Sequence, residues 1–538
     1  MRKRLLFKML PLLLLLLNNK NQAQPFKINW QTCFDLPGRE IIGDIEPISD
    51  GYFVLQGYVG DYEDGQILLR KISENGNLIW GKQYGGSLGE GAVKISKTDD
   101  NNFIIMGATA SLDGDVTFNP YPGSYSHWLI KIDSSGNIFW DKVLGNSSRN
   151  TMEDGIITDN GIFLFSWIAG GGGDVTNYYG GYDAWLIKTD LEGNKLWDYT
   201  IGKSSIDFGF CISETSDNGV LLGGSSLVDE GTGGNIDCQS FGYKPDAVLF
   251  KLDSLGNYQW QRCYGGSEID NIDKIINLPD GYLLGCSTSS SDGDLIGSGY
   301  HEGYRPPNYD KTNDIWLVKI DTTGNIIWQK CYGGTQWESI HDIYVMENGN
   351  YLIFGSTCSF DGDVIGNHSI DIYSDDIWIF EIDSVGNLLW QRCLGGIGME
   401  GRYMAVHQKN EYRYLIASNI SGLNSGNIDC EYNHFYVQGI WLFELADSTL
   451  SVQERNFKSD FQLYPIPVDN VLVIELPLSA TGVLHIFDVQ GNLRFSQTIT
   501  ENITYLQTNY FQNGIYLIRY TDESGKSVSK KFIVNHIK

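Results

Sequence analysis

Positive charge is scarce in this chain: 38 Lys and Arg stand against 66 Asp and Glu in 538 residues, a formal net charge of −28. A surface of that sign does not attract phosphate, which excludes nucleic acid as a natural partner. Histidine is sparse too. The eight (127, 301, 341, 368, 407, 434, 485, 536) are scattered, with no metal-ligand spacing. There is no Gly-x-Ser-x-Gly elbow, no His-Glu-x-x-His and no phosphate-binding loop. Carboxylate pairs suited to glycoside hydrolysis are not excluded in so acidic a chain, but no pair stands out. Beyond Leu17 no apolar run approaches the length of a membrane helix, so no transmembrane segment is expected in the mature chain.

The one apolar run, Met9 to Leu17, follows Arg2, Lys3, Arg4 and Lys8 and precedes Ala23-Gln24-Pro25. That order reads as a secretory signal peptide over residues 1–24. Its five basic residues, with Lys20, leave the remainder near −33. The acidity fits solubility, or hard-cation binding at acidic loops. The nine cysteines suit an exported protein with some disulfides, whose connectivity is not legible in sequence. Cys33, Cys263, Cys331 and Cys393 each stand three residues after a tryptophan, which favours a structural slot over a catalytic one.

Those tryptophans are the dominant feature. Trp30, Trp80, Trp140, Trp197, Trp260, Trp328 and Trp390 recur at intervals of 50 to 68 residues, and six close a Gly-Asn-x-x-Trp phrase. Each repeat carries four strand signals, as in Asp273–Leu278, Tyr282–Cys286, Asp314–Asp321 and Ile326–Cys331, joined by Asp/Asn-Gly turns. Four-stranded repeats in series with no helical pattern predict an all-β protein with a seven-bladed β-propeller over residues 25–446. A β-solenoid is the rival. The seventh repeat supplies only three strands, ending at Trp441–Leu445, while Phe26–Cys33 carries Trp30 with nothing before it. The N-terminal strand is therefore expected to complete the last blade and remove an exposed edge.

Within each repeat the loops between second and third strands are long and the other turns short. Ligand contacts are expected on that elaborated face. Three of its loops read Asp113-Gly114-Asp115, Asp292-Gly293-Asp294 and Asp361-Gly362-Asp363, with Gly173-Asp174 a reduced form. Carboxylates two apart around a glycine suit a calcium loop. Equally, Asp and Gly make turns in which the carboxylate caps backbone N–H groups. Calcium is thus the one cofactor expected, at Asp113, Asp115, Asp292, Asp294, Asp361 and Asp363, against a purely structural use. Gly234–Cys238 and Gly426–Cys430 share a second loop pattern that suggests local disulfides. Tyr178, Tyr179, Tyr300, Tyr304 and Tyr309 in the long loops suit either an aromatic rim or loop packing.

The phrase Ile-Asp-x-x-Gly-Asn-x-x-Trp resembles the tryptophan-docking repeat of quinoprotein-like propellers, which implies fold only. Over residues 30–445 the runs Asp-Gly-Asp-Val, Asp-x-Trp-Leu-x-Lys-Ile-Asp and Gly-Asn-x-x-Trp are similar to propeller repeats of secreted Bacteroidetes proteins. Asp253-Ser254-Leu255, Asp321-Thr322-Thr323, Asp383-Ser384-Val385 and Asp447-Ser448-Thr449 resemble the Asp-Ser/Thr-apolar acceptor of Bacteroidetes O-glycosylation, which nominates Ser254, Thr322, Ser384 and Ser448. Ordinary turn chemistry favours the same residues.

After Ala446 the pattern stops. Residues 447–460 read as a linker, and 461–538 as a separate β module with six basic and six acidic residues. Its order of motifs is Tyr464-Pro465-Ile466-Pro467, Leu484 to Asp488 and Gly491, Gly514-Ile515-Tyr516, then Lys530-Lys531 to Val534. This resembles the type A C-terminal sorting domain of the type IX secretion system, with Ile466 where the family has Asn. The resemblance implies an Ig-like β-sandwich, type IX machinery as partner, export to the outer surface or medium, and Tyr464, Pro465, Pro467, Asp488, Gly491, Gly514, Tyr516, Lys530 and Lys531 as the sorting motif. The expectation for the propeller is a binding or interaction module for glycan or protein. The alternative is a carbohydrate-active hydrolase or lyase using loop carboxylates, and a third is a surface-layer component. No catalytic residue is nominated.

Overall fold

The computed structural model describes residues 26–35, 41–57, 65–227, 233–238, 241–307, 310–410, 412–421, 425–430, 439–447, 462–475, 482–488, 493–499, 503–522 and 527–536. The signal segment, Ser448, nearly all of the linker, Tyr309 and Gly491 lie outside them. The described residues hold strands and turns, with one short 3-10 turn at Gly293–Leu295 and no α-helix. The chain divides into two compact units, Met1–Ser448 and Thr449–Lys538.

In the first unit, the described residues form seven four-stranded antiparallel sheets, five of them from consecutive strands and a sixth interrupted only by a two-stranded hairpin, Tyr304–Arg305 with Asp310–Lys311. The first sheet is Ile41–Ile48, Gly51–Gly57, Ile67–Ile72 and Leu78–Tyr84. The second to sixth sheets begin at Glu90, Asn150, Asp207, Asp270 and Glu338. The seventh takes Met404–Asn410, Arg413–Ile420 and Gly439–Asp447 from one end of the chain and Phe26–Asp35 from the other. Phe26 pairs with Asp447 and Asp35 with Gly439 in an antiparallel ladder. The N-terminal strand thus lies where the sequence places it.

Burial explains the residue choice. The second and third strands are buried along their length, as in Phe103–Thr109 and Asp183–Thr189. They are covered on both faces by neighbouring sheets, so near-continuous apolar runs replace alternation. Fourth strands lie outermost and alternate, as in Leu78–Tyr84. One apolar cluster joins consecutive sheets: Phe53, Leu55 and Leu69 of the first with Phe103, Ile105 and Trp128 of the second. Another joins Ile42, Ile45 and Val54 of the first sheet to Ala405, Leu415 and Leu442 of the seventh.

The third-strand tryptophans Trp128, Trp185, Trp316, Trp378 and Trp441 are fully buried. Each indole N–H finds a partner, as burial requires. It donates to the residue just after a repeat tryptophan: Asp141, Asp198, Gln329, Gln391 and Gln31, at 2.9–3.0 Å. The repeat tryptophans themselves are only partly buried and face the next sheet.

Two disulfides form, Cys238–Cys263 and Cys33–Cys430. Both join a long loop to the outermost strand of its own sheet, not two points within the loop. Cys211, Cys286, Cys331, Cys358 and Cys393 are free and buried.

In the second unit, Gln462–Tyr464, Val471–Glu475 and Ile503–Gln507 make one sheet, and Leu493–Ile499, Gly482–Asp488, Gly514–Asp522 and Ser527–Val534 the other. Leu472, Ile474, Ile486, Ile518 and Phe532 share one core between them.

Candidate functional site

The Asp-Gly-Asp corners are latches. Gly85, just past the outer strand of the first sheet, donates its N–H to Asp115 Oδ2 at 3.1 Å, and Asp115 N–H returns a bond to Gly85 O at 2.9 Å. The same reciprocal pair links Gly145 with Asp174, Gly202 with Asn235, Gly265 with Asp294, Gly333 with Asp363 and Gly395 with Asn427. The first Asp of the triplet adds a second tie: Asp113 accepts from Ser87 N–H, Asp292 from Ser267 and Asp361 from Thr335, at 2.7–2.8 Å. The glycine between them has φ near +65° (Gly114 +68°, Gly293 +62°, Gly362 +66°), and a Cβ on it would overlap the carbonyl it passes. All six calcium-nominated carboxylates therefore spend an oxygen on backbone N–H groups. Among the described residues no group of three or more His, Cys, Asp or Glu is arranged to hold a metal ion.

Behind the latches lies a row of buried acids that sequence reading missed. Glu90, Asp207, Asp270, Glu338 and Glu400 each open a sheet or precede it by a few residues, and each accepts a backbone N–H from the sheet-to-sheet connection. Asp183, Asp314 and Asp376 face three of them at 0% exposure, each with one oxygen lacking a hydrogen-bond partner. Burial, then the facing acid, pushes Glu338 up to about 8 and leaves Glu400 at about 8. Burial raises Asp183 and Asp270 to about 7 and Asp314 to about 6. His301 and His368 brace two of the acids through Nδ1, at 2.9 Å to Asp314 and 2.6 Å to Asp376.

The first strands carry a shared irregularity. Register slips one residue at Gly43, Val93, Glu153, Phe210, Asp273 and His341. A β-bulge re-aims its side chain and the next. The next residues are Asp44, Lys94, Asp154, Cys211, Lys274 and Asp342. Their charges face one another across the strands: Asp44 lies 3.7 Å from Lys94, and Lys94 is held in its charged form by Asp44, then Asp154 and Asp342. Asp154 accepts Ile212 N–H of the adjoining sheet, as Asp44 accepts Ile95 N–H. Burial lifts Glu46 to about 7 and Asp273 to about 6, and lowers His341 to about 4.

One of these bulges sits among partly exposed aromatics. Trp167 Nε1 donates to Glu153 Oε1 at 2.9 Å. Its ring stands edge-on to Tyr182 (5.1 Å, 86°) and to Phe208 (5.4 Å, 67°), and Phe210 follows Phe208 at 6.1 Å. Arg149 lies 5.9 Å over the Trp167 ring. Tyr182 is fixed by backbone bonds to Ser205 and Asp207. Burial raises the Glu153 carboxyl to about 7, with the Trp167 bond opposing. A second exposed stack on the same loop face puts Arg305 between Trp337 (4.3 Å) and Tyr373 (4.6 Å).

The tyrosines nominated from sequence brace loops: Tyr300 donates to Thr312 O, Tyr178 to Gly181 O and Tyr304 to Glu302, at 2.6–2.8 Å. A depression of about 760 Å³ opens on the opposite, short-turn face, lined by Asp99, Asp159, Glu192, Glu214 and Asn277. Ser254, Thr322 and Ser384 sit on turns closed by the preceding Asp, whose carboxylate accepts two backbone N–H groups. In the second unit Asp488 pairs with Arg494, Tyr516 stacks on Phe532, Gly514 pairs with Val534, and Lys530 and Lys531 lie on the last strand. Tyr464 bonds Glu475, and Pro465 and Pro467 follow it on the chain.

Residues 462–535 match the secretion system C-terminal sorting domain. That domain indicates export through the type IX secretion system to the cell surface or outside. An endo-acting ulvan lyase of Formosa agariphila is 25% identical over 191 residues, 35% of this chain and 31% of that protein. The chain spans less than a third of the length of that curated relative. Among solved structures, the AfRom2 CNH domain is similar at 7% identity and a TM-score of 0.39, covering 78% of this chain and 98% of that one. A mutant of the Synechocystis apocarotenoid oxygenase is similar at 13% identity and a TM-score of 0.35, over 68% of this chain and 74% of the other.

Proposed function

We propose that the chain is an exported seven-bladed β-propeller that binds carbohydrate through its long-loop face. Seven sheets, the Phe26–Asp35 pairing and the apolar cluster between first and seventh sheets support a closed ring. The domains of this reading are a signal peptide at 1–24, the propeller at 25–446, a linker at 447–460 and an Ig-like sorting sandwich at 461–538. The observation that carries the binding function is the half-exposed aromatic group around Trp167 on the loop face. Aromatic faces with a nearby carboxyl suit sugar rings, which present apolar C–H faces and hydroxyl edges. Calcium forms no part of this reading, because the latch already uses the Asp-Gly-Asp oxygens and two of the six latches carry Asn.

A lyase or hydrolase is the second reading. Glu46 and Glu153, both near 7, suit general acid–base work, and the ulvan lyase likeness fits it. Any polyanionic substrate would meet a net charge of −28, which opposes its approach. A glycan array probed with the full-length protein, run beside reducing-sugar and unsaturated-uronate assays, separates the two. Binding without turnover supports the propeller as a lectin-like module. Turnover of any polysaccharide replaces it with the enzyme.

A further inference from the structure

We propose that Trp167, Tyr182, Phe208 and Phe210, with Glu153, form a subsite for one uncharged sugar ring. The inference rests on the carbohydrate-binding reading and names its ligand class. Four rings from two neighbouring sheets meet at one corner. Trp167 ends a second strand, Tyr182 precedes a third strand, and Phe208 and Phe210 lie on the first strand of the next sheet. Trp167 and Phe208 are larger than most of their counterparts, with Ile41 of the first sheet an exception at the Phe208 position. Sheet register puts Ala108, Ser225, Ser287 and Ser356 where the third sheet has Trp167, and Gly91, Thr151, Asn271 and Ser339 where the fourth has Phe208. Phe210 takes the bulge position that is Glu153, Asp273 or His341 in neighbouring sheets.

The ladder does not need an indole at Trp167, since Gly57, Ala108, Ser225, Ser287 and Ser356 hold the same position in other sheets. Tyr182 is 37% exposed. The edge-on arrangement of Trp167 to Tyr182 and Phe208 makes a corner with two apolar walls. Glu153 stands at its base, with one oxygen held by the Trp167 indole and the other able to bond a hydroxyl. Arg149 stacks on Trp167 and bounds one side. The net charge of −28 opposes the approach of an anionic sugar, and Arg149 is the cation at the corner whose pull on a uronate the charged probes test.

The test uses the full-length protein and two sets of probes by isothermal titration: neutral hexaoses of gluco, manno, galacto and xylo type, and uronate hexaoses. Tyr182→Ala, which removes an exposed ring, and Phe210→Ser are the variants, each checked for an unchanged melting temperature. The expected result is binding of at least one neutral hexaose, weakened about tenfold or more by either variant, and Glu153→Gln weakening it less. Wild-type affinity that both variants leave unchanged overturns the subsite and leaves the carbohydrate reading standing. Tighter binding of uronate than of neutral hexaoses overturns the ligand class. Failure of every glycan to bind overturns the carbohydrate reading itself.

Discussion

The indole of Trp30 lies against Gly76, in the space a Cβ on that glycine would fill. Trp80 meets Gly136 in the same way, Trp140 meets Gly193, Trp197 meets Gly256 and Trp328 meets Gly386. The glycine sits at the last turn of the next sheet with φ near +80° (Gly76 +81°, Gly193 +78°), a conformation other residues resist. Trp30, from the start of the chain, thus docks the seventh sheet onto the first as the internal tryptophans dock their neighbours.

Removing that ring should loosen the junction. Trp30→Ala is expected to cost roughly 3 kcal/mol, at the lower end for a large aromatic because Trp30 is only partly buried. Gly76→Ala should cost about 1–2 kcal/mol through strain and overlap. Urea unfolding of each variant, followed by tryptophan fluorescence, gives the numbers. Equal midpoints for wild type and Trp30→Ala would contradict the docking role.

The Cys33–Cys430 bond spans 397 residues. In the chain-entropy view a loop of that length is worth up to about 6 kcal/mol. Cys33→Ser should therefore lower the melting temperature well beyond Cys263→Ser, whose loop is 25 residues. Peptide mapping without reductant should find the linked 33–430 pair in protein recovered from the medium.

The latches need hydrogen-bond geometry, and Asn235 and Asn427 already serve two of them without charge. Asp294→Asn should keep stability within about 1 kcal/mol of wild type, whereas Gly293→Val should lose several. Added Ca²⁺ is expected to leave the melting temperature of wild type and Asp294→Asn alike unchanged. A calcium-dependent rise in wild type that the Asn variant lacks would put a cation at that corner.

How much of this was legible depends on repetition. The tryptophan spacing, the Gly-Asn-x-x-Trp turns and the orphan strand around Trp30 recur or complete a recurring set, so one sequence was enough to place strands and their order. The loop carboxylates were visible, but Asp115 reads the same whether it holds a cation or Gly85 N–H, and only geometry separates the two. Trp167 and Phe208 were hidden for the opposite reason. They depart from their own columns, and a column appears only once the sheet register aligns Trp167 with Ala108 and Ser225. The long-loop face was favoured for ligands because of loop length, while the 760 Å³ depression lies among the short turns.

The buried acids make stability depend on pH with a definite sign. Asp183, Asp270, Glu338 and Glu400 hold their protons to about 7 or 8 in the folded chain, against about 4 when unfolded. The folded state binds more protons over that window, so stability is full below about pH 4 and is lost as pH rises through 7 to 8. Turn carboxylates held low, such as Asp133 and Asp383, titrate below that window and do not reverse the slope within it. The melting temperature is expected to fall between pH 5 and pH 8.5, and Glu338→Gln with Glu400→Gln should flatten the fall. A flat profile in the wild type would show that these acids ionise freely.

Deleting 462–535 should leave the rest of the chain behind the outer membrane, since that segment matches the sorting domain. Cell fractionation and immunoblotting read the outcome. Replacing Lys530 and Lys531 together by Ala tests the last strand alone. Secretion of the deleted chain at the normal level would remove the sorting role.

Phe26–Asp35 has its hydrogen-bonding partner in Gly439–Asp447, some four hundred residues downstream. The first strand made is therefore among the last to find its place. Every sheet between them can form from neighbours in sequence, quickly and locally, but the final ladder waits for the far end of the chain to arrive. A molecule cut short anywhere before residue 439 leaves Trp30 without its ladder and an open strand edge on show. The pairing acts as a check on length: only a chain that extends through residue 447 can complete the seventh sheet.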